Sequence, residues 1–417
     1  MSESALAEAE AADAAIAVGQ HRGTLHGVPI AIKDLLWTRN CPTSAGMAIH
    51  KEFRPHEDST VVRRLREAGA VILGKSQLTE GAYSDYHPSI TPPQNPWNAA
   101  YWPGVSSSGS AVATAAGLCF GSLGSDTGGS IRWPSAANGV TGLKPTWGRV
   151  SRHGVFELAA SLDHVGTIAR SAADAGLLLQ AIAGSDPADP TALLDLVPNY
   201  LAAATQGGEG LRIGIDAEWN EDDVDDTTRS VVAAATTIFR ALGAEIIEVS
   251  VPDPSQVIVD WVPNCAVEAA LAHEATFAAH REGYGSVLAS VIENGRAISA
   301  TSYQRILLRR MEFRGRLNAL FSHIDLLLTP VQPFPPLTLS TIRTLGNQPE
   351  LIAKLQRYTC PFDMSGHPTI TLPAGASNAG MPVGVQLVAA SLAEDMLVRA
   401  GTAFQRATDW HRQRPVA

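Results

Sequence analysis

Cysteine, clustered positive charge and long apolar runs are all scarce in this chain of 417 residues. Its four cysteines, Cys41, Cys119, Cys265 and Cys360, are widely separated and form no C-x-x-C pair. That spacing argues against a disulfide framework and for free thiols in a reducing compartment. Lys and Arg together number 31 against 41 Asp and Glu, a formal net charge of -10. Binding to phosphate backbones needs clustered cations, so a nucleic-acid role is not expected. No uninterrupted apolar stretch approaches the ~18 residues of a membrane span. Residues 1–10 are acidic and helix-forming, unlike a secretory leader, and a cytoplasmic location is the expectation. Neither H-E-x-x-H nor a clustered Cys/His spacing occurs, so no metal and no other cofactor is expected. A G-x-S-x-G elbow is missing too, although His87, His153, His164 and His367 stay open as members of a histidine-based triad.

What is present alternates between strand and helix patterns. No segment has the composition of an interdomain linker, so one domain over 1–417 is expected despite a length beyond the usual ~100–200 residues. Residues 3–18 read as a helix, 28–32 as a strand, and 59–68 as an amphipathic helix capped by Asp58 or Ser59. Residues 70–73 give a buried strand, and this order points to α/β architecture. The stretch Gly69 to Ser76 fits G-x-x-x-x-G-K-S, but its middle is that strand rather than a phosphate-wrapping loop, so the match is accidental. Further on, 111–118 reads as a helix, 119–124 and 140–144 as strands, and 171–183 as a helix. Residues 186–210 are the least regular part. Strands follow at 211–215, 245–251, 325–328, 369–373 and 383–388. Helices are expected at 227–242, 256–281, 301–322 and from about 393, the first entered through the acidic run 221–226.

Three segments carry chemistry. Lys33 ends an Ile-Ala-Ile run and precedes Asp34; Ser106-Ser107-Ser108 precedes an Ala-rich helix; Thr127-Gly128-Gly129-Ser130 lies between a strand and a helix start. Singly, they read as a solvated lysine, a capping cluster and a tight turn. Together they offer nucleophilic attack on an amide or ester without a histidine. A serine hydroxyl needs a base to take its proton, and a lysine in apolar surroundings loses its charge readily enough to serve. Glycines let the turn adopt conformations closed to other residues, so that successive N–H groups can converge on a developing oxyanion.

These segments, with His26-Gly-Val-Pro-Ile-Ala-Ile-Lys-Asp34, Gly74-Lys-Ser76, Asn95-Pro-Trp97 and Gly139-Val-Thr-Gly-Leu-Lys-Pro-Thr146, resemble the amidase signature family densely over 23–184. The resemblance continues more loosely at 325–330, Gly366-His-Pro368 and Pro382-Val-Gly-Val-Gln386, leaving 185–360 as a variable, substrate-side region. It implies a single α/β/α domain around a large mixed, mostly parallel twisted sheet. It further implies that Ser130 attacks the carbonyl carbon while Ser106 relays the proton to Lys33. Ser106 then protonates the leaving amine, and water releases the acyl enzyme by the reverse relay. The N–H groups of Thr127, Gly128, Gly129 and Ser130 would line the oxyanion hole. Gly81, Ala82 and Tyr83 would fall beside the acyl pocket, with Trp133 and Phe156 as further candidates. The family's peptide before the relay serine is cis.

This chain departs from the family pattern at three places. Val105 and Ser108 replace glycines, Ser125 replaces threonine, and only 32 residues precede Lys33, which leaves little of the family's N-terminal helices. Asp126 and Arg132 flank the nucleophile, first as an ion pair supporting the turn, second as a substrate-facing arginine that reads a carboxylate. The implied activity is cleavage of C–N bonds in small or aryl amides, with carbamates (urethanes) and esters open to the same acyl transfer. The partner would be a small-molecule amide or carbamate, and the enzyme a monomer or homodimer. The alternative is the glutaminase component of a tRNA-dependent amidotransferase, which residues 139–151 strongly resemble. The short N-terminus with Val105 and Ser108 favours the stand-alone enzyme.

Overall fold

The computed structural model describes residues 2–416, and among these ten strands build one sheet. In chain order they are β1 (Pro29–Lys33), β2 (Val71–Ser76), β3 (Gly121–Asp126), β4 (Thr141–Lys144), β5 (His164–Ala169), β6 (Arg212–Ile215), β7 (Glu245–Glu248), β8 (Leu326–Pro330), β9 (Thr369–Ala376) and β10 (Pro382–Ala389). Across the sheet the order is β2-β1-β3-β5-β4-β9-β10-β8-β6-β7. The sheet is mixed, as expected, but its parallel share is smaller than the resemblance implied. Parallel pairs occupy only the two ends, β2-β1-β3 and β8-β6-β7. The five interfaces between them are antiparallel. β5 was not anticipated, and its insertion between β3 and β4 reverses the direction there. β9 and β10 are neighbours in sequence joined by a tight turn, which antiparallel strands permit without a crossover.

Helices cover both faces. Side chains alternate along β9: Ile370 and Leu372 reach the helix Glu394–Arg406 at Gly401, whereas Thr371 shares its face with Gly384 and Ala136 of the helix Arg132–Asn138. Helix Ala172–Ile182 lies beside Glu394–Arg406, and helix Ser108–Ala115 beside Arg132–Asn138. The largest buried apolar cluster runs from Leu25 to Phe404. At the sheet's edge, Glu8 of the helix Ser2–Ala17 accepts a hydrogen bond from the N–H of Ile72 in β2 at 3.0 Å. That contact occupies a donor the edge would otherwise expose.

The expected helix at 256–281 is Ser255–Ala272, with Pro263 inside it, followed by the short Glu274–Phe277. Ser286–Ala297, Pro349–Gln356 and Cys360–Ser365 are additional helices that no pattern announced. The pairing of β1 with β3 matters most for function. Ile32 lies opposite Leu123 in parallel register, so Lys33 and the end of β3 emerge at the same edge of the sheet.

Candidate active site

Lys33 is wholly buried. Its Nζ lies 2.7 Å from Ser106 Oγ, 2.9 Å from Ser107 Oγ and 2.9 Å from Ser125 Oγ. Burial lowers its pKa from 10.5 to about 7, opposed by the fields of Asp126 and Asp163. A neutral amine has two N–H donors and one lone pair. Ser107 Oγ donates to the carbonyl of Ser125 at 3.0 Å, so it can only receive from Lys33. The lone pair is thereby free to take the proton of Ser106. The Val105–Ser106 peptide is cis. The N–H of Ser107 donates to the carbonyl of Ser130 at 3.1 Å, which sets the relay segment beside the Ser130 turn.

Asp126 organises that turn. Its Oδ1 accepts from the N–H of Gly129 at 2.6 Å, and its Oδ2 from Ile131 at 2.9 Å and Arg132 at 3.3 Å. The Gly129 N–H is thus engaged by a carboxylate within the turn, where the resemblance implied a donor for the oxyanion. Arg132, fully buried, donates to Asp126, Asp363, the carbonyl of Thr359 and Gln386. Those bonds use the whole guanidinium, so Arg132 supports the turn and does not face a substrate. Beside it, the carbonyl of Gly128 accepts from Cys360 Sγ at 3.5 Å. Thr127 Oγ1 donates to Asp163 at 2.6 Å. Burial raises the pKa of Asp163 to about 6.

Two indoles press on the glycines. A Cβ on Gly128 would lie 2.5 Å from the Trp261 ring, and one on Gly129 would lie 2.6 Å from the Trp133 ring. Trp261 Nε1 also donates to the carbonyl of Thr127 at 2.7 Å. Tyr83 stacks on Trp261, with centroids 6.4 Å apart and planes within 9°, so the Gly81-Ala82-Tyr83 segment does reach the turn. Its other end is tied to the residue after Lys33: the N–H of Gly81 donates to the carbonyl of Ala45, whose own N–H donates to the carbonyl of Asp34. Phe156 instead belongs to an aromatic cluster with Trp37, His50 and Phe53. Surface clefts of about 700 and 820 Å³ are lined by none of these residues; the reacting groups are enclosed, with Ser130 only 7% exposed.

The model of the family described as Amidase matches residues 1–398. The chain belongs to the amidase family. A Mycobacterium tuberculosis protein named AmiD as a candidate amidase is 50% identical over 100% of this chain and 87% of its own length. A glutamyl-tRNA(Gln) amidotransferase component from Geobacter metallireducens is 36% identical, over 99% of this chain and 90% of its own. The native peptide amidase of Stenotrophomonas maltophilia has the same fold, with a TM-score of 0.84 and 30% identity over 99% of this chain and 88% of its own. This amidase is accordingly a hydrolase acting on carbon–nitrogen bonds.

Sequence reasoning missed several residues of the site. Trp261 and Cys360 lie in the variable region, where no motif marks them. Asp163 stands just before the unanticipated β5. Ser107 and Ser125 were legible as residues but not as partners of Lys33, since that depends on which way each side chain points. Among the described residues, no helix is long and apolar enough to cross a membrane, and no group of three or more His, Cys, Asp or Glu is placed to hold a metal ion.

Proposed function

We propose that this amidase cleaves small uncharged amides, aryl amides among them, through an acyl enzyme on Ser130. The observation that carries the reading is the buried Lys33 amine on Ser106 Oγ at 2.7 Å, poised to exchange a proton near neutral pH. In the first half, Ser106 passes its proton to Lys33 and takes the proton of Ser130 as Ser130 Oγ bonds to the carbonyl carbon. The N–H groups of Thr127, Gly128 and Ser130 receive the oxyanion. Collapse breaks the C–N bond while Ser106 protonates the leaving amine and recovers a proton from Lys33. Water then attacks the ester by the same relay, releasing the acid and restoring Ser130. Carbamates and esters suit this sequence, because only the group on one side of the carbonyl changes.

Preference for an uncharged substrate rests on Arg132, whose donors are spent within the protein and which therefore cannot hold the carboxylate of a glutamine. Val105 and Ser108, in place of two family glycines, favour a stand-alone enzyme over the glutaminase of a larger complex. Intact mass after treatment with a sulfonyl fluoride tests the reading. Wild type should gain a single adduct and lose p-nitroanilide hydrolysis, whereas Ser130→Ala should take no adduct and hydrolyse no anilide even before treatment. Hydrolysis that survives Ser130→Ala would sink it. Purified chain should cleave the anilide and leave glutamine intact.

A further inference from the structure

Helix Ser255–Ala272 carries Trp261 against the Ser130 turn and is closed at its C-terminus by His273. His273 is 6% exposed. Its Nδ1 lies 3.2 Å from the hydroxyl of Tyr284, which itself lies 2.6 Å from Thr276 Oγ1. The ring stands edge-on to Tyr284, with centroids 5.5 Å apart. Its other nitrogen, Nε2, is buried and has no hydrogen-bond partner. A buried polar atom without a partner costs ~1–3 kcal/mol, which a ligand group hydrogen-bonded to it would recover.

The position of that nitrogen suggests the occupant. It lies 3.5 Å from where a side chain on Gly81 would begin, a point that Leu288 Cδ2 approaches to 2.7 Å. Gly81 opens the Gly81-Ala82-Tyr83 segment, which is tied to Asp34 beside Lys33 through Ala45 and stacks through Tyr83 on Trp261. Nε2 therefore borders the segment that spans base and nucleophile turn. We propose that His273 Nε2 is a substrate-binding group that hydrogen-bonds one uncharged polar group, a hydroxyl or secondary amide, on the acyl portion of the substrate. The inference rests on the acyl-enzyme reading above. Burial lowers the pKa of His273 to about 4, which keeps the imidazole neutral and suits an uncharged partner rather than a carboxylate. The substrate class this selects is amides with a polar, non-ionic acyl chain.

The test is a set of straight-chain acyl p-nitroanilides carrying a hydroxyl at successive positions, each compared with its unsubstituted parent. Wild type should show at least about a 10-fold higher kcat/KM for one hydroxylated member, the value of a single hydrogen bond to a buried group. In His273→Phe, which keeps a flat ring without nitrogens, that ratio should fall to near one. In His273→Gln, which restores a polar end, it should partly return. A ratio near one at every position in the wild type overturns the inference. So does a wild-type preference that His273→Phe retains, because a nitrogen satisfied by an internal water would change stability without changing the ratio. Should His273→Phe not fold, His273→Leu, which also lacks the nitrogens, takes its place with the same expected loss of the ratio. Cleavage of the parent anilide, with Ser130→Ala as control, tests the acyl-enzyme reading separately; if that fails, the inference falls with it.

Discussion

Replacing Lys33 by methionine separates the cost of burying an amine from its use as a base. Folding lowers the pKa of Lys33 from 10.5 to about 7, and at about 1.4 kcal/mol per unit this is roughly 5 kcal/mol. The sign follows from proton binding. Between pH 7 and 10.5 the unfolded chain holds the lysine proton and the folded chain does not, so this group's contribution to stability rises with pH across that window. Below pH 7 both states are protonated and the full cost of a buried ammonium is present. Lys33→Met lacks that pH-dependent term. It leaves the hydroxyls of Ser106, Ser107 and Ser125 without the amine, a cost independent of pH. The difference in unfolding free energy between variant and wild type should therefore shift against the variant by about 3 kcal/mol between about pH 6.5 and 9.5, read from urea denaturation at both. Lys144, also lowered to about 7 by burial, is present in both proteins and cancels. Wild-type kcat/KM should rise with an apparent pKa near 7, as the lone pair of Lys33 becomes available, and Lys33→Met should be inactive. A pH-independent stability difference, together with a flat activity profile from mildly acidic to alkaline pH, would refute the placement of a titrating base at this position.

Other perturbations have equally definite outcomes. Ser106→Ala should lower kcat by roughly 10²–10⁴ for anilides and less for aryl esters, whose leaving groups need no proton; kinetics on matched pairs would show it. Gly128→Ala places a methyl 2.5 Å from the Trp261 ring. It should cost ~1–3 kcal/mol in urea denaturation, a loss that a second change, Trp261→Ala, should partly relieve. Arg132→Met leaves the carboxylates of Asp126 and Asp363 buried without their guanidinium and should cost about 3–5 kcal/mol, measured the same way.

The sequence was most legible where function needs a particular residue at a particular backbone position. Lys33 at the end of an apolar strand, and the Gly-Gly-Ser turn after another, each have a common structural reading, and only their combination with the serine cluster pointed to a site. β5 gave little warning, since His164-Val-Gly-Thr-Ile-Ala is buried along its whole length and shows no alternation of polar and apolar residues. The antiparallel centre of the sheet was equally hidden: local patterning shows that strands exist, not which neighbour each one meets. Gly129 is the clearest case of a residue rightly placed yet differently engaged. Its N–H lies at the turn, but the carboxylate three residues earlier claims it, and no spacing rule distinguishes a donor aimed outward from one aimed at Asp126. Trp261 and His273 depend on how one long helix packs among its neighbouring helices, which is a tertiary fact.

The anchoring of Arg132 has a bearing on when the serine becomes usable. Beyond Asp126, its acceptors are Thr359, Asp363 and Gln386, the nearest of them 227 residues further along the chain. A growing polypeptide exposes the nucleophile segment long before any of these has been made. Until then the guanidinium lacks the groups that seat it, and the carbonyl of Gly128 lacks Cys360. On the proposed mechanism, seating of the turn thus waits on the β9–β10 hairpin and the helix before it. A half-synthesised chain would carry the three side chains proposed to react and lack the contacts that hold their turn in place.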